Sequence, residues 1–230
     1  MADFFCSSVF FGVLISLSSY LLGMWLKAKL RSPLLNPLLI AIILTSAFLL
    51  LSKTSYESYS IGAKPISYLL TPATVCLAIP LYEQFERLRK NAAAVVVGVL
   101  TGVITSLCSV LLLSYLFGLD HAEYVTLLPK SITTAIGMGV TEELGGYVPL
   151  TVAIIIITGI LGNIIAVGVC RIFRITDPVA KGIAIGSASH AIGTTKAMEL
   201  GEVEGAMSSL SIVLSGVITV VLAGIFSRFL

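Results

Sequence analysis

The chain has 230 residues, of which 57% are hydrophobic and 11% are charged, with a net charge of +2 and a mean hydropathy of +1.05. A soluble globular domain usually carries about 25% charged residues, so this composition excludes a soluble enzyme or binding domain. The near-neutral charge gives no indication of nucleic-acid binding. The chain is therefore predicted to be an all-α integral membrane protein, with the lipid bilayer as its surroundings.

Long stretches with few or no charges recur along the chain. Each approaches or exceeds the roughly 20 residues that cross a ~30 Å hydrocarbon layer as a helix. We expect a polytopic helical bundle with about six full spans, at residues 4–26, 32–52, 65–82, 92–117, 147–170 and 205–227. The third span contains Pro72 and Pro80, which predict either an interrupted element or an ordinary proline-kinked helix.

Basic residues concentrate in three loops, at positions 27–31, 87–90 and 171–181. The positive-inside rule predicts that all three loops lie in the cytoplasm. Acidic residues occupy the loops between them, which fits a periplasmic N-terminus. This alternation also bears on the segment at residues 130–146: the third basic loop reaches the cytoplasm only if that segment enters the membrane and returns to the same face.

A short polar sequence occurs twice. Residues 131–145 align without gaps on residues 187–201, and seven of the fifteen positions are identical. Polar, glycine-interrupted segments in corresponding places of two repeats indicate the binding site of a transporter. We therefore predict two re-entrant or broken helices that enter from opposite faces and form an inverted repeat.

A weaker repetition accompanies the first. The sequences VLTGVI at 99–104, IITGIL at 156–161 and VLSGVI at 213–218 recur every 57 residues. Together the two patterns predict a single transmembrane domain over residues 1–230. Its expected parts are N-terminal helices at 1–90, a first repeat at 91–146, a second repeat at 147–204 and a closing helix at 205–230.

The two repeat segments combine glycines with hydroxyl side chains. Gly137, Gly139 and Gly193 let the chain leave helical geometry, and nearby threonines can cap a new half-helix. A half-helix N-terminus at membrane depth favours a small anion, particularly a carboxylate. The alternative is close helix packing through glycine, with hydroxyls bonded to their own helix. The predicted substrate-binding residues are Ser131, Thr133, Thr134, Gly137, Asn163, Ser189, His190, Gly193, Thr194, Thr195 and Lys196.

Ionisable residues in these segments have two interpretations each. Lys196 is expected to pair with a substrate carboxylate, to extend to the membrane interface, or to pair with Glu199. His190 is expected either to relay a proton or to be a neutral, hydrogen-bonded packing residue. The candidates for ion coupling are His190, Glu142 and Glu199. Asp177-Pro178 predicts a helix start, with Asp177 as N-cap.

No nucleophile–base pair, metal-ligand set or phosphate loop is apparent in the sequence. We therefore expect no enzyme activity, no cofactor and no metal. The apolar surface favours a homo-oligomer, with a dimer as the first expectation.

Four sequence segments resemble the signature segments of the LrgB/CidB family of membrane proteins: PLLNPL at 33–38, LPKSITT at 128–134, GSASHAIGT at 186–194 and EGAMSSL at 204–210. The resemblance covers essentially the whole chain. It implies a bacterial inner-membrane location and a small LrgA/CidA-type membrane partner, described as holin-like and linked to murein hydrolase export. It also implies small anionic substrates, because plastid relatives are glycolate/glycerate translocators and bacterial members are connected with pyruvate.

Two functions are thus predicted. The first is a secondary carrier of small monocarboxylates, coupled to a proton or cation, with its site between the two repeat segments. The alternative is a holin/antiholin-like regulator of murein hydrolase export and autolysis that acts with the LrgA/CidA-type partner.

Overall fold

A computed structural model describes residues 10–30, 36–69 and 85–230, together with positions 72, 76, 79 and 82. The regular elements within these ranges are all helical. The chain forms two compact units, Met1–Cys76 and Leu77–Leu230. The prediction of an all-α protein is confirmed for the described residues, while the proposed division into four segments of one domain stays a prediction.

The first unit contains helices α1 (Phe11–Leu30), α2 (Pro37–Ser52) and α3 (Tyr56–Tyr68). Glycines bring them close together: a Cβ on Gly23 would lie 2.7 Å from the Pro37 carbonyl oxygen. Asn36 caps α2, because its side chain accepts hydrogen bonds from two amides of the first turn. Pro65 lies inside α3, and half of the predicted span at 65–82, including Pro80, lies outside the described residues.

The second unit begins with the short helix α4 (Phe85–Lys90) and the long helix α5 (Ala92–Phe117). The remaining elements of this unit are α6 (His121–Leu127), α7 (Thr134–Glu143), α8 (Val148–Ile172), α9 (Pro178–Leu200), α10 (Glu202–Phe226) and a final 3₁₀ turn (Ser227–Phe229). Asp177 caps α9 by accepting a hydrogen bond from the Ala180 amide at 2.8 Å, and Pro178 is its first residue. The predicted helix start at Asp177-Pro178 is confirmed.

Four helices among the described residues are long and apolar enough to cross a membrane: Phe11–Leu30, Ala92–Phe117, Val148–Ile172 and Glu202–Phe229. The helix Pro37–Ser52 is apolar but shorter, with 16 residues. At 1.5 Å per residue it spans about 24 Å, less than a ~30 Å hydrocarbon layer. The structure thus supports a multi-pass membrane protein, with four of the roughly six predicted spans appearing as candidates.

The core of the second unit is centred on α5. Its buried residues Val95, Val99, Val103 and Leu107 recur every four positions, which places them on one face of the helix. Tyr124 and Met207 pack into the same cluster. The opposite face of α5 exposes large apolar side chains such as Leu112 and Leu116. An apolar outer face is the arrangement expected where lipid replaces water around a helix.

Candidate functional site

The first repeat segment lies in a helical hairpin formed by α6, the connector at 128–133 and α7; residues 121–143 are called the first hairpin below. A Cβ on Gly137 would lie 3.6 Å from the Pro129 carbonyl oxygen. Eight residues of straight helix span about 12 Å, so this contact requires the chain to double back. Its helices are too short to cross a membrane, since α7 has only 10 residues.

The second repeat segment lies in α9, which is broken at His190, where φ is 42° and ψ is −143°. A Cβ on Gly193 would lie 3.2 Å from the Ile185 carbonyl oxygen, eight residues earlier. Further along, Ala197 is buried in one cluster with Ile185. These contacts require the chain to reverse near His190, so residues 178–200 form a second hairpin.

The same contacts recur in the two hairpins, at positions 56 residues apart. The pair Pro129 and Gly137 corresponds to Ile185 and Gly193, and both pairs are in contact. The Thr126 carbonyl oxygen also accepts a hydrogen bond from Thr151 Oγ1 at 3.0 Å. The equivalent pair is Gly182 and Met207, and a Cβ on Gly182 would lie 2.6 Å from Met207 Cβ. Each hairpin therefore packs in the same way on the helix that follows it.

The regions around the two chain reversals meet on the same two helices. On α5, a Cβ on Gly102 would lie 3.1 Å from Ser187 Oγ, and Ser106 Oγ lies 3.3 Å from Ser131 Oγ. Gly102 and Ser106 are one helical turn apart, about 6 Å. On α8, the Ile155 carbonyl oxygen lies 2.9 Å from His190 Nε2. The Ile155 side chain contacts Gly137 of the first hairpin.

The outer ends of the hairpins lie at opposite ends of α10. In the first hairpin, Tyr124 donates a hydrogen bond to the Phe226 carbonyl oxygen at 3.0 Å. In the second, a Cβ on Gly182 would lie 2.6 Å from the Glu204 carbonyl oxygen. Twenty-two residues of helix separate Glu204 from Phe226, which is about 33 Å. The hairpins therefore approach the middle of the unit from opposite directions.

Several predicted site residues lie at or beside this meeting point. Ser131 is in the first connector, and Ser189 and His190 are buried at the second reversal. Asn163 of α8 donates hydrogen bonds to the Ile192 carbonyl oxygen at 2.8 Å and to Thr195 Oγ1 at 3.0 Å. Asn163 therefore holds the second hairpin against α8, as a polar group inside a bundle needs a partner.

The interruptions precede the glycines that were expected to cause them. Gly137 and Gly139 lie inside α7, which begins at Thr134 after the extended residue Thr133. Gly193 lies beyond the break at His190. Gly137 and Gly193 instead allow another segment of the same chain to approach closely. The alternative of close packing through glycine therefore describes these two positions.

Some of the hydroxyl groups bond within their own segment, which agrees with the alternative of close helix packing. Ser187 Oγ donates to the Ile183 carbonyl oxygen at 2.7 Å, and Thr194 Oγ1 donates to the His190 carbonyl oxygen at 3.0 Å. Thr194 Oγ1 also lies 2.7 Å from Ser208 Oγ of α10. This pair joins the second arm of the hairpin to α10.

The charged candidates lie away from the reversals. Lys196 Nζ forms an ion pair with Glu199 Oε2 at 2.6 Å, and the Glu199 side chain is 52% exposed. Of the three roles considered for Lys196, the structure therefore shows the pairing with Glu199. Glu142 is exposed near the end of α7. Its role in ion coupling stays a prediction, as does that of Glu199.

Lys130 is a candidate residue that the sequence analysis missed. It is half-buried in the first connector, and its Nζ donates a hydrogen bond to Ser131 Oγ at 3.1 Å. Within the described ranges, no carboxylate lies at ion-pair distance from it. The available signal was its position directly before the first repeat segment. A cation in this place can attract an anion to the meeting point of the hairpins.

The four candidate membrane spans of the described residues support a multi-pass, helical membrane protein. The LrgB-like family model matches residues 16–229, so the chain belongs to the LrgB family. "Antiholin-like protein LrgB" of Bacillus cereus (strain B4264) is 36% identical over 222 residues, which cover 96% of each chain. The relative of the same name in Bacillus anthracis (strain A0248) has the same identity and coverage. No solved structure matches the chain.

Proposed function

We propose that this chain is an antiholin-like protein of the bacterial inner membrane that restrains murein hydrolase export and autolysis. The observation that carries this proposal is the match along 96% of both chains to relatives named antiholin-like. Those names are not the names of enzymes. They support this role more directly than the monocarboxylate carrier that the sequence analysis placed first. The proposed partner is a small LrgA/CidA-type membrane protein.

Deleting the gene and measuring lysis tests this role. Loss of an antiholin-like protein should accelerate detergent-triggered lysis and raise extracellular murein hydrolase activity, and the wild-type gene should reverse both effects. Co-expression with a tagged LrgA/CidA-type protein should recover the chain in the same detergent-solubilised complex. Unchanged lysis in the deletion strain, with the partner present, would contradict the proposal.

The meeting of the two hairpins favours a second function, the carriage of a small anion. Two short hairpins approach from opposite ends of α10 and share contacts on α5 and α8. This arrangement resembles the inverted repeats of secondary transporters, whose sites lie between discontinuous helices. Lys130 and Ser131 would supply a cation and a hydroxyl to a carboxylate there, with His190 as the candidate for proton coupling.

Transport by proteoliposomes tests the second function. We expect saturable counterflow of labelled pyruvate, glycolate or glycerate, reduced at least tenfold by Lys130→Gln and partly restored by Lys130→Arg. Lys53→Gln removes the same charge from an exposed position in the first unit and should leave the flux unchanged. Absence of selective flux from a monodisperse wild-type preparation would refute the carrier. If Lys130→Gln abolishes flux and preserves lysis control, the two functions are separable.

The proposed topology is an inverted repeat within about six spans, with the N-terminus in the periplasm. The opposite approach of the two hairpins along α10 supports it. The basic loop at 171–181 would then be cytoplasmic and the C-terminus periplasmic. Alkaline phosphatase fused after Leu230 should be active and a fusion after Thr176 inactive; the reverse pattern would overturn this topology. The homodimer stays a prediction, which mass measurement in detergent tests.

A further inference from the structure

A cavity lies at the outer end of the second hairpin, away from its reversal at His190. Its volume is about 200 Å³. The end of α8, the connector to α9 and both ends of α9 contribute to its walls. Arg171, Thr176 and Lys181 supply polar groups, while Val167, Ile175 and Leu200 supply apolar surface.

The charge in this cavity is unbalanced. Arg171 and Lys181 are both cations, and no carboxylate is among the lining residues. In the portion of the chain that the structure describes, neither cation forms an ion pair. Asp177, the acidic residue nearest to them along the chain, accepts a hydrogen bond from the Ala180 amide as the N-cap of α9. Two cations that face one cavity favour an anion between them.

The walls of the cavity are held by backbone hydrogen bonds. The Ile175 amide donates to the Cys170 carbonyl oxygen at 2.8 Å, and the Arg174 amide donates to the Arg171 carbonyl oxygen at 3.2 Å. Arg174 has a φ of 54°, which ends α8 in a left-handed residue. These bonds satisfy the last carbonyls of α8 and set the path of the connector. They therefore fix the backbone of the connector between Arg171 and Thr176.

We infer that this cavity binds a phosphate-bearing anion, with the headgroup of an anionic phospholipid as its source. A guanidinium group makes paired hydrogen bonds to phosphate oxygens, and the Lys181 ammonium and Thr176 hydroxyl add further donors. The cavity adjoins the end of a candidate membrane span, where lipid headgroups lie. Val167, Ile175 and Leu200 provide apolar contacts that a lipid chain would use and that free phosphate would not.

Binding here would connect the second hairpin to α8. Lys181 lies in the first turn of α9, and Leu200 is its last residue. A phosphate held between Arg171 and Lys181 therefore ties the first arm of the hairpin to the end of α8. We expect hydrogen exchange in the first turn of α9 to slow when the anion is bound.

Lipid binding measured by native mass spectrometry tests the site. Detergent-solubilised full-length protein is titrated with phosphatidylglycerol, with phosphatidylcholine of the same chains, and with inorganic phosphate. Arg171→Gln and Lys181→Gln should each weaken phosphatidylglycerol binding about fivefold, the effect expected for one basic residue near an anionic lipid. Arg174→Gln is the matched control: it removes the same charge from the same connector but does not line the cavity.

The titrations separate the two sources of phosphate. Phosphatidylglycerol binding that depends on Arg171 and Lys181, without an effect of inorganic phosphate, supports the lipid headgroup. Competition by inorganic phosphate with the same dependence supports the phosphate site and assigns it a soluble ligand. Equal binding by the Arg171, Lys181 and Arg174 variants overturns the inference, as does equal preference of the wild type for both lipids. Only monodisperse preparations of the variants are compared, so a misfolded variant is recognised before its lipid binding is measured. Arg174→Gln then controls for the loss of one positive charge.

Discussion

Substituting Gly186 with alanine should loosen the contact between the second hairpin and α10. The new Cβ would meet the Ser208 carbonyl oxygen and lie 2.8 Å from Ser208 Cα. Ordinary van der Waals contact begins at 3.4 Å, so the two backbones must separate by at least 0.6 Å at Ser208 Cα, and by more at the carbonyl oxygen. Both obstructing atoms are backbone atoms of α10. They cannot move away as the end of a flexible side chain would.

The expected loss follows from two opposing effects. Overpacking costs about 1–3 kcal/mol, and a backbone obstacle places this site in the upper part of that range. Alanine recovers up to about 1 kcal/mol through its better helix propensity. The net loss in unfolding free energy is therefore about 1–2 kcal/mol. In a chain of this size it should lower the midpoint of thermal unfolding by roughly 3–6 °C.

Size-exclusion chromatography after heating measures the midpoint in detergent, as the fraction of monodisperse protein that remains. The matched control is Gly168→Ala in α8, where an added Cβ has no atom within 4 Å. We expect this control to be as stable as the wild type or slightly more stable. If Gly186→Ala and Gly168→Ala unfold at the same temperature, the close contact between the second hairpin and α10 is wrong.

Two further substitutions test contacts of the hairpins. Thr151→Val removes the hydroxyl that bonds to the Thr126 carbonyl oxygen inside the protein, and should cost about 1–2 kcal/mol of unfolding free energy. The control Thr101→Val removes an exposed hydroxyl that bonds only to its own helix, and should be nearly neutral. Equal thermal midpoints of the two variants would refute the stabilising role of the Thr151 hydroxyl. Lys196→Gln breaks the exposed pair with Glu199 and should change the unfolding free energy by less than about 0.5 kcal/mol. A shift of several degrees in the thermal midpoint would contradict this expectation and show that Lys196 has a buried partner.

Composition and local pattern were sufficient to predict the class of protein. Apolar runs long enough to cross a membrane indicate a helical membrane protein, since backbone polar groups in lipid must be satisfied within each segment. The repeat at 131–145 and 187–201 located the second arm of each hairpin, whereas the first arm of the first hairpin, His121–Leu127, lies before the repeated sequence. The start of α9 at Asp177-Pro178 was also predictable, since an N-cap aspartate followed by proline acts through its immediate neighbours.

The tertiary structure decided where the second hairpin breaks and which side chains meet. The left-handed conformation of His190 is accompanied by a contact between its ring and the Ile155 carbonyl oxygen, 35 residues away, which no local pattern contains. Gly193 indicated flexibility in the sequence but serves close packing against Ile185. Lys130 became a candidate only when the fold half-buried it in the first connector, with its Nζ bonded to Ser131. Local propensity acts over a few residues, whereas burial and partner choice depend on helices that are distant in the chain.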